Sequence, residues 1–298
     1  MAAREYRSPE AFRTALEQRI RSAVSGAEMN RFRQLLVFDR FLSRVFVQFG
    51  DKAILKGGLV LELRLQRART TKDVDLRLTG DGANVLVAMR AAGGLALGDW
   101  LSFSVQPDAD MPRIKGEGMV YDGYRFRVEA RLGGKPYGGS FGVDVGFADV
   151  LTVEPDVAQG SRFLEFAGVP PSSFRLYPRV AHIAEKLHAY TLPRERPNTR
   201  VKDLPDLALL ASVGPLDAAE LRGAIEATFS FRKTHATPMI VPAPPSEWAP
   251  ADRRQLFLHS CCLTSLCYHD ASPRSHPSCF SVHRVVGGRW CPCRNARC

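Results

Sequence analysis

Two aspartates one residue apart, Asp73 and Asp75 in the run Arg69-Thr70-Thr71-Lys72-Asp73-Val74-Asp75-Leu76, are the side chains best suited to chemistry in this sequence. On a strand, residues at i and i+2 share a face. Carboxylates held that close repel, each disfavours ionisation of the other, and a bound divalent cation relieves the conflict. Hard oxygen donors of this kind suit Mg²⁺ or Mn²⁺. Upstream lies Ala53-Ile54-Leu55-Lys56-Gly57-Gly58, an apolar run that breaks into two glycines. A double glycine lets backbone approach a phosphate closely, and a following helix N-terminus favours anions. A phosphate cradle followed by metal carboxylates points to transfer chemistry on a nucleoside triphosphate (NTP).

Further along, Asp144 stands in the apolar run Phe141-Gly142-Val143-Asp144-Val145-Gly146-Phe147. A carboxylate in such a strand needs a partner, because an unpaired buried charge is costly; it also fits an edge aspartate capping a turn. Lys186, among Ile183, Leu187 and Tyr190, can reach a triphosphate as a point charge or snorkel to solvent. Asp203, in Arg200-Val201-Lys202-Asp203-Leu204-Pro205-Asp206, opens a helix at its positive end, where an N-cap role is equally natural. His188 reads as a helix-face histidine. Asp73 and Asp75 themselves also fit a solvated pair at a strand start, beside Lys72 and Arg77. Spacing alone does not choose between these roles.

Composition excludes several classes. Across 298 residues, 45% hydrophobic and 24% charged content is ordinary for a globular protein. No apolar run is long enough for a membrane span. The opening Met-Ala-Ala-Arg-Glu-Tyr-Arg lacks a signal-peptide core, so a cytoplasmic location is expected. The net charge of +10 hints at a polyanionic partner, with Arg64, Arg67, Arg69, Arg194, Arg196 and Arg200 as candidates to line a groove for it. Residues 259–298 contribute five Arg and one Asp to that charge, leaving about +6 elsewhere. All the cysteines (261, 262, 267, 279, 291, 293 and 298) lie in that last segment. A cysteine-free body fits a reducing compartment. Cys291-Pro292-Cys293 and the scattered histidines match no zinc spacing, and 259–298 is expected to be a disordered tail.

Apolar periodicity predicts helices over 8–24, with Ser8 as N-cap and Pro9 at the first position, and over 28–49. Short helices are expected over 59–65 and 81–93, and a strand over 74–78. Strands are expected over 101–105, 123–132 and 140–147, then helices over 179–191, 202–212 and 216–230. The fold class is α+β with a mixed sheet. Four parts are expected: N-terminal helices (1–50), a core (51–170), a C-terminal helical part (171–258) and the tail (259–298).

Taken in order, Lys56-Gly57-Gly58, Arg69-x-x-x-Asp73-x-Asp75, Asp144, Glu185-Lys186-Leu187-His188-Ala189 and Lys202-Asp203-x-x-Asp206 resemble the AbiEii/AbiGii family of nucleotidyltransferase-like toxins, which includes the mycobacterial MenT toxins. The similarity covers about residues 30–250 and stops before the cysteine-rich tail. It implies a DNA polymerase β-type nucleotidyltransferase core and a metal-dependent transfer of NMP from an NTP. An RNA 3′ end, the tRNA acceptor above all, is the implied target, which would block translation. It also implies a toxin–antitoxin pair with an AbiEi-type winged-helix antitoxin, and a link to abortive infection. Carried onto this chain, Lys56, Gly57 and Gly58 receive the triphosphate, and Asp73 and Asp75 bind metal with Asp144 as a looser third. Lys186 contacts the nucleotide, and Asp203 is the acidic residue of the last motif. Polymerase β-type enzymes carry Gly-Ser where this chain has Gly57-Gly58, so backbone amides must replace the serine hydroxyl. Transfer to a protein or small molecule, or a non-catalytic nucleotide-binding module, are the competing readings.

Overall fold

Alternating apolar and polar residues along the central strands divide this sheet into an oily face and a charged face. The computed structural model describes residues 5–65, 71–80, 82–114, 123–147, 151–194, 200–201 and 203–244, all within the unit Met1–Leu266. Arg67, Arg69, Arg196, Lys202 and the tail 259–298 lie outside the described residues.

Helices α1 (Pro9–Ala23) and α2 (Met29–Phe49) come first. Ser8 caps α1, its hydroxyl accepting the Ala11 N–H at 3.2 Å, and Pro9 takes the position where no N–H is needed. Strand β1 (Ala53–Lys56) runs straight into α3 (Gly57–Leu65), which starts earlier than expected, at the first glycine. Then come β2 (Asp73–Leu78), α4 (Val85–Gly94), β3 (Leu101–Pro107), β4 (Arg113–Ile114), β5 (Gly123–Leu132), β6 (Lys135–Pro136) and β7 (Phe141–Phe147). Strands β8 (Asp156–Gln159) and β9 (Ser173–Leu176) precede α5 (Arg179–Thr191), α6 (Asp203–Ser212) and α7 (Ala218–Arg232).

The strands form one mixed sheet in the order β3-β5-β7-β2-β1-β9-β8, with β4 and β6 paired to β5. Strand β2 is antiparallel to β1 and parallel to β7. The class is α+β, as expected. The sheet extends past the expected core limit at residue 170, because β9 pairs with β1.

Val74, Leu76 and Leu78 of β2, Phe141, Val143 and Val145 of β7, and Phe126 and Val128 of β5 all enter one core under α1, α2 and α4. Phe41 of α2 is fully buried and meets the Phe141 ring edge-on at 5.4 Å. Burying such a side chain stabilises by about 1.5–3 kcal/mol, so α2 fixes the strand that carries Asp144. Because side chains alternate, the residues between these core positions must face the other way. Those residues are Asp73, Asp75, Asp144 and Arg125. The second face carries its own helical layer, in which Leu61, Val180, Ile183, Ala184, Leu207 and Leu210 join α3, α5 and α6.

One cluster was not foreseen. Asp99, fully buried, accepts from Arg40 Nε at 2.7 Å and from Arg44 Nη1 and Nη2 at 2.9 and 2.6 Å. Arg44 also donates to the carbonyls of Leu95, Arg40 and Leu101. These contacts tie α2 to the segment entering β3.

Candidate active site

Backbone register places four charges in a row across neighbouring strands. Lys56 of β1 pairs with Asp75 of β2, Asp75 with Asp144 of β7, and Asp144 with Arg125 of β5. The two carboxylates therefore stand side by side on adjacent strands, about 4.8 Å apart at the backbone, with a cation on each flank. Asp73 lies on the same face two residues up β2. Asp144 occupies a central strand between β5 and β2, which excludes the edge-cap alternative.

Gly57 is where the sequence reading sharpens most. Its φ is +68°, a left-handed conformation that glycine adopts freely. A Cβ on Gly57 would fall far inside van der Waals distance of Asp75 Oδ2. The space opened by the missing side chain is therefore filled by the Asp75 carboxylate. Gly142 performs a milder version for Asp73: its N–H donates to Asp73 Oδ1 at 3.3 Å, and a Cβ there would lie 2.7 Å from the same oxygen. Gly57→Ala is therefore expected to reduce transfer activity by about 10²-fold or more, through strain and a displaced carboxylate. Gly142→Ala should lose less. Comparable activity in Gly57→Ala and wild type, measured by pyrophosphate release, would contradict this assignment.

Burial pushes the Asp75 carboxyl up to about 6, with the neighbouring Asp144 charge as the second cause and Lys56 opposing both. Cations converge on the same region. Burial holds His182 of α5 well below its ordinary range, and Lys186, Lys56 and Arg64 push it further down. An enclosed carboxylate with a like-charged neighbour is a place where a divalent cation is welcome, and the oxygen donors suit Mg²⁺ or Mn²⁺. Asp73 and Asp75 fit that role. Asp144 has both oxygens engaged by Arg125, Nε to Oδ1 and Nη2 to Oδ2, each at 2.7 Å. Among the described residues no group of three or more His, Cys, Asp or Glu side chains is gathered to hold a metal ion.

Helix α5 supplies the other charged contacts. Glu185 accepts from Lys56 Nζ at 2.9 Å and from the Tyr177 hydroxyl at 2.6 Å, while Lys56 lies 4.4 Å above the Tyr177 ring. Lys186 donates to Asp206 at 2.7 Å and to Asp203 at 3.2 Å, and Asp203 also accepts from Arg200 at 2.5 Å. Asp203 and Asp206 are buried. In this structure Asp203 thus helps to hold Lys186 in place. Gly58 is buried in the first turn of α3, next to Gly57.

The basic groove is only partly visible. Arg64 pairs with Asp156 and donates to the Tyr177 carbonyl, and Arg194 donates to the Ala189 carbonyl. Arg64 and Arg200 are therefore engaged within the fold. His188 is buried, its Nε2 on the Thr234 hydroxyl at 2.8 Å, in agreement with a packing role. A separate cavity of about 390 Å³ opens at the other end of β1 and β2, beside Ile54, Arg77, Thr79, Leu151 and Arg175.

Arg125 and Glu185 are the members that the sequence reading did not single out. Strand parity could have placed Arg125 on the carboxylate face. Its partner depends on strand order, which parity does not give.

A mixed sheet thus presents paired carboxylates beside a glycine turn and a helix N-terminus. The chain belongs to the AbiEii family: the model described as nucleotidyl transferase AbiEii toxin, type IV toxin–antitoxin system, matches residues 40–260. It is thus a nucleotidyltransferase toxin of a family that pairs with antitoxins. Similar solved structures include MenT4, a nucleotidyltransferase toxin from Mycobacterium tuberculosis H37Rv, at 16% identity and TM-score 0.45, covering 86% of this chain and 99% of that one. JHP933 from Helicobacter pylori is 16% identical with TM-score 0.38, over 67% of this chain and 80% of its own. A second H. pylori structure, of a protein assigned to the nucleotidyltransferases, is 18% identical with TM-score 0.40, over 67% and 82%. No curated protein matches. Among the described residues no helix is long and apolar enough to cross a membrane.

Proposed function

We propose that this toxin transfers NMP from an NTP to the 3′-hydroxyl of an RNA, the acceptor end of tRNA being the foremost candidate, with Mg²⁺ or Mn²⁺ bound. The observation that carries the reading is the charge row Lys56–Asp75–Asp144 beside Gly57 and the N-terminus of α3. In the reaction a bond forms between the 3′ oxygen and the α-phosphorus. The bond from that phosphorus to the bridging oxygen breaks, and its electron pair leaves with pyrophosphate. The hydroxyl proton passes to a carboxylate of the cluster or to water.

Each residue has a part. Asp73 and Asp75 would hold the divalent ion, which would supply charge stabilisation for the entering and leaving oxygens. Asp144 would complete their ligand set and, through it, help to position the acceptor hydroxyl. Lys56 and the first amides of α3 receive the triphosphate, aided by the positive end of the helix. Lys186, fixed by Asp203 and Asp206, adds a preorganised positive charge, which acts most strongly where water is excluded. Phosphate contacts of this kind bind strongly without choosing a sequence. An AbiEi-type antitoxin is the proposed partner and the cytoplasm the proposed site of action.

The test is incubation of the protein with labelled NTPs, total RNA and protein extract. Label is expected in the RNA fraction, at 3′ ends, with matching pyrophosphate release. Label confined to protein or to small molecules would overturn the acceptor. Binding of NTP with no pyrophosphate release would overturn the transfer reaction.

A further inference from the structure

We propose that Arg125 is a built-in counter-ion for this centre: in the metal-free protein its guanidinium occupies Asp144, and a divalent cation must displace it to recruit Asp144 alongside Asp73 and Asp75. The inference rests on reading Asp73 and Asp75 as cation ligands, and it accounts for Asp144 standing in register with Asp75 while both its oxygens are held by Arg125.

The geometry is that of a latch. Both nitrogens of the fork meet both carboxylate oxygens, each at 2.7 Å, the strongest arrangement open to an Arg–carboxylate pair. Without it, Asp75 and Asp144 would be neighbouring negative charges with Lys56 as the one cation in their row. Exchange needs little movement. Arg125 is 34% exposed and Asp144 22%, so neither side chain would leave a bare charge in a dry core. The Arg125 backbone is pinned, its N–H on the Pro112 carbonyl at 3.0 Å and its carbonyl accepting from Asp108 at 2.9 Å, so only the side chain has to swing. The charges of Asp108 and Asp73 already act on it and favour its guanidinium after it leaves Asp144.

Mn²⁺ titration of the full-length chain at pH 7.5, followed by calorimetry and by electron paramagnetic resonance, tests this. Arg125→Met should bind Mn²⁺ about tenfold tighter than wild type or better. Its metal-free melting temperature should fall, and its gain on adding Mn²⁺ should exceed that of wild type. Arg125→Lys, which keeps the charge but loses the fork, should lie between the two and serves as the folding control. Adding Asp144→Asn to Arg125→Met should erase the gain in affinity. Equal or weaker Mn²⁺ binding by a folded Arg125→Met, with binding still lost in Asp75→Asn, would overturn the latch and leave the cation site standing. Wild-type affinity in Asp75→Asn, or no Mn²⁺ on any variant, would instead overturn the reading of Asp73 and Asp75 on which the latch depends.

Discussion

Asp75→Asn is expected to abolish toxicity, with transfer reduced by ~10³-fold or more, and yet to make the metal-free protein more stable at neutral pH. Both effects follow from one carboxyl. In the fold it titrates at about 6, raised from 3.8, with burial as the main cause and Asp144 as the next. The folded state therefore holds that proton more tightly than the unfolded chain does. Below the ordinary carboxylate range both states are protonated, and the group costs nothing. As pH rises from about 4 through 6, the folded protein must ionise an enclosed acid, and stability is lost. At one pKa unit per 1.36 kcal/mol, the cost above pH 6 is roughly 1–3 kcal/mol. Asparagine keeps the shape and removes the charge. Its melting temperature at pH 7.5 should rise by roughly 2–8 °C, and the gain should vanish near pH 4. Scanning calorimetry at both pH values decides it. A variant less stable than wild type at pH 7.5, or one still fully toxic, would refute the role given to Asp75.

Asp99→Ala should show the opposite pattern, a large loss of stability with the chemistry intact. Burial alone would raise the Asp99 carboxyl, but the Arg44 and Arg40 guanidiniums outweigh it and hold it below its ordinary range. That contribution is present at neutral pH and is lost as pH falls through the depressed folded value. Removing the carboxylate strands two buried guanidiniums, with Asp39 as a weaker neighbour 3.8 Å from Arg40. Breaking such a buried pair costs about 3–5 kcal/mol. Urea denaturation should show a lower midpoint with an unchanged slope. Turnover per folded molecule, measured at low temperature, should stay near wild type, because the cluster joins α2 to β3 and touches none of the charge row. A shift under 1 kcal/mol would mean that water or Asp39 replaces Asp99 more effectively than the geometry indicates.

The sequence revealed those parts of the fold where side-chain period and chain length agree. Helices α1, α2 and α5 and strands β2, β5 and β7 were legible because their apolar positions repeat at 3.6 or 2 residues over at least one face. Strands β8 and β9, four residues each, are too short to carry a period, and β4 and β6 are two-residue pairings. Arg40 and Arg44 lie between the apolar positions of α2 and carry no local sign of burial. Their burial depends on Asp99, more than fifty residues away. In the site, the acidic pair and the glycines were visible as local patterns. The pairs Lys56–Glu185 and Arg125–Asp144 were not, because each is created by tertiary placement. Gly57 was legible as a backbone that could approach phosphate; that its bare face also accommodates a carboxylate of its own chain depends on the pairing of β1 with β2.

The two-faced sheet has a consequence for how such a protein can be controlled. Slipping β2 by one residue would send Asp73 and Asp75 into the oil beneath α1 and α2 and bring Val74 and Leu76 into water. No intermediate register gives a folded chain with a blunted site. Folding thus acts as its own inspector: a molecule that passes has its carboxylates aligned, and a molecule that fails has no core. Restraint on a correctly folded copy therefore acts on side chains, as Arg125 does on Asp144, or through ions, substrates and a partner, while the strand register stays fixed.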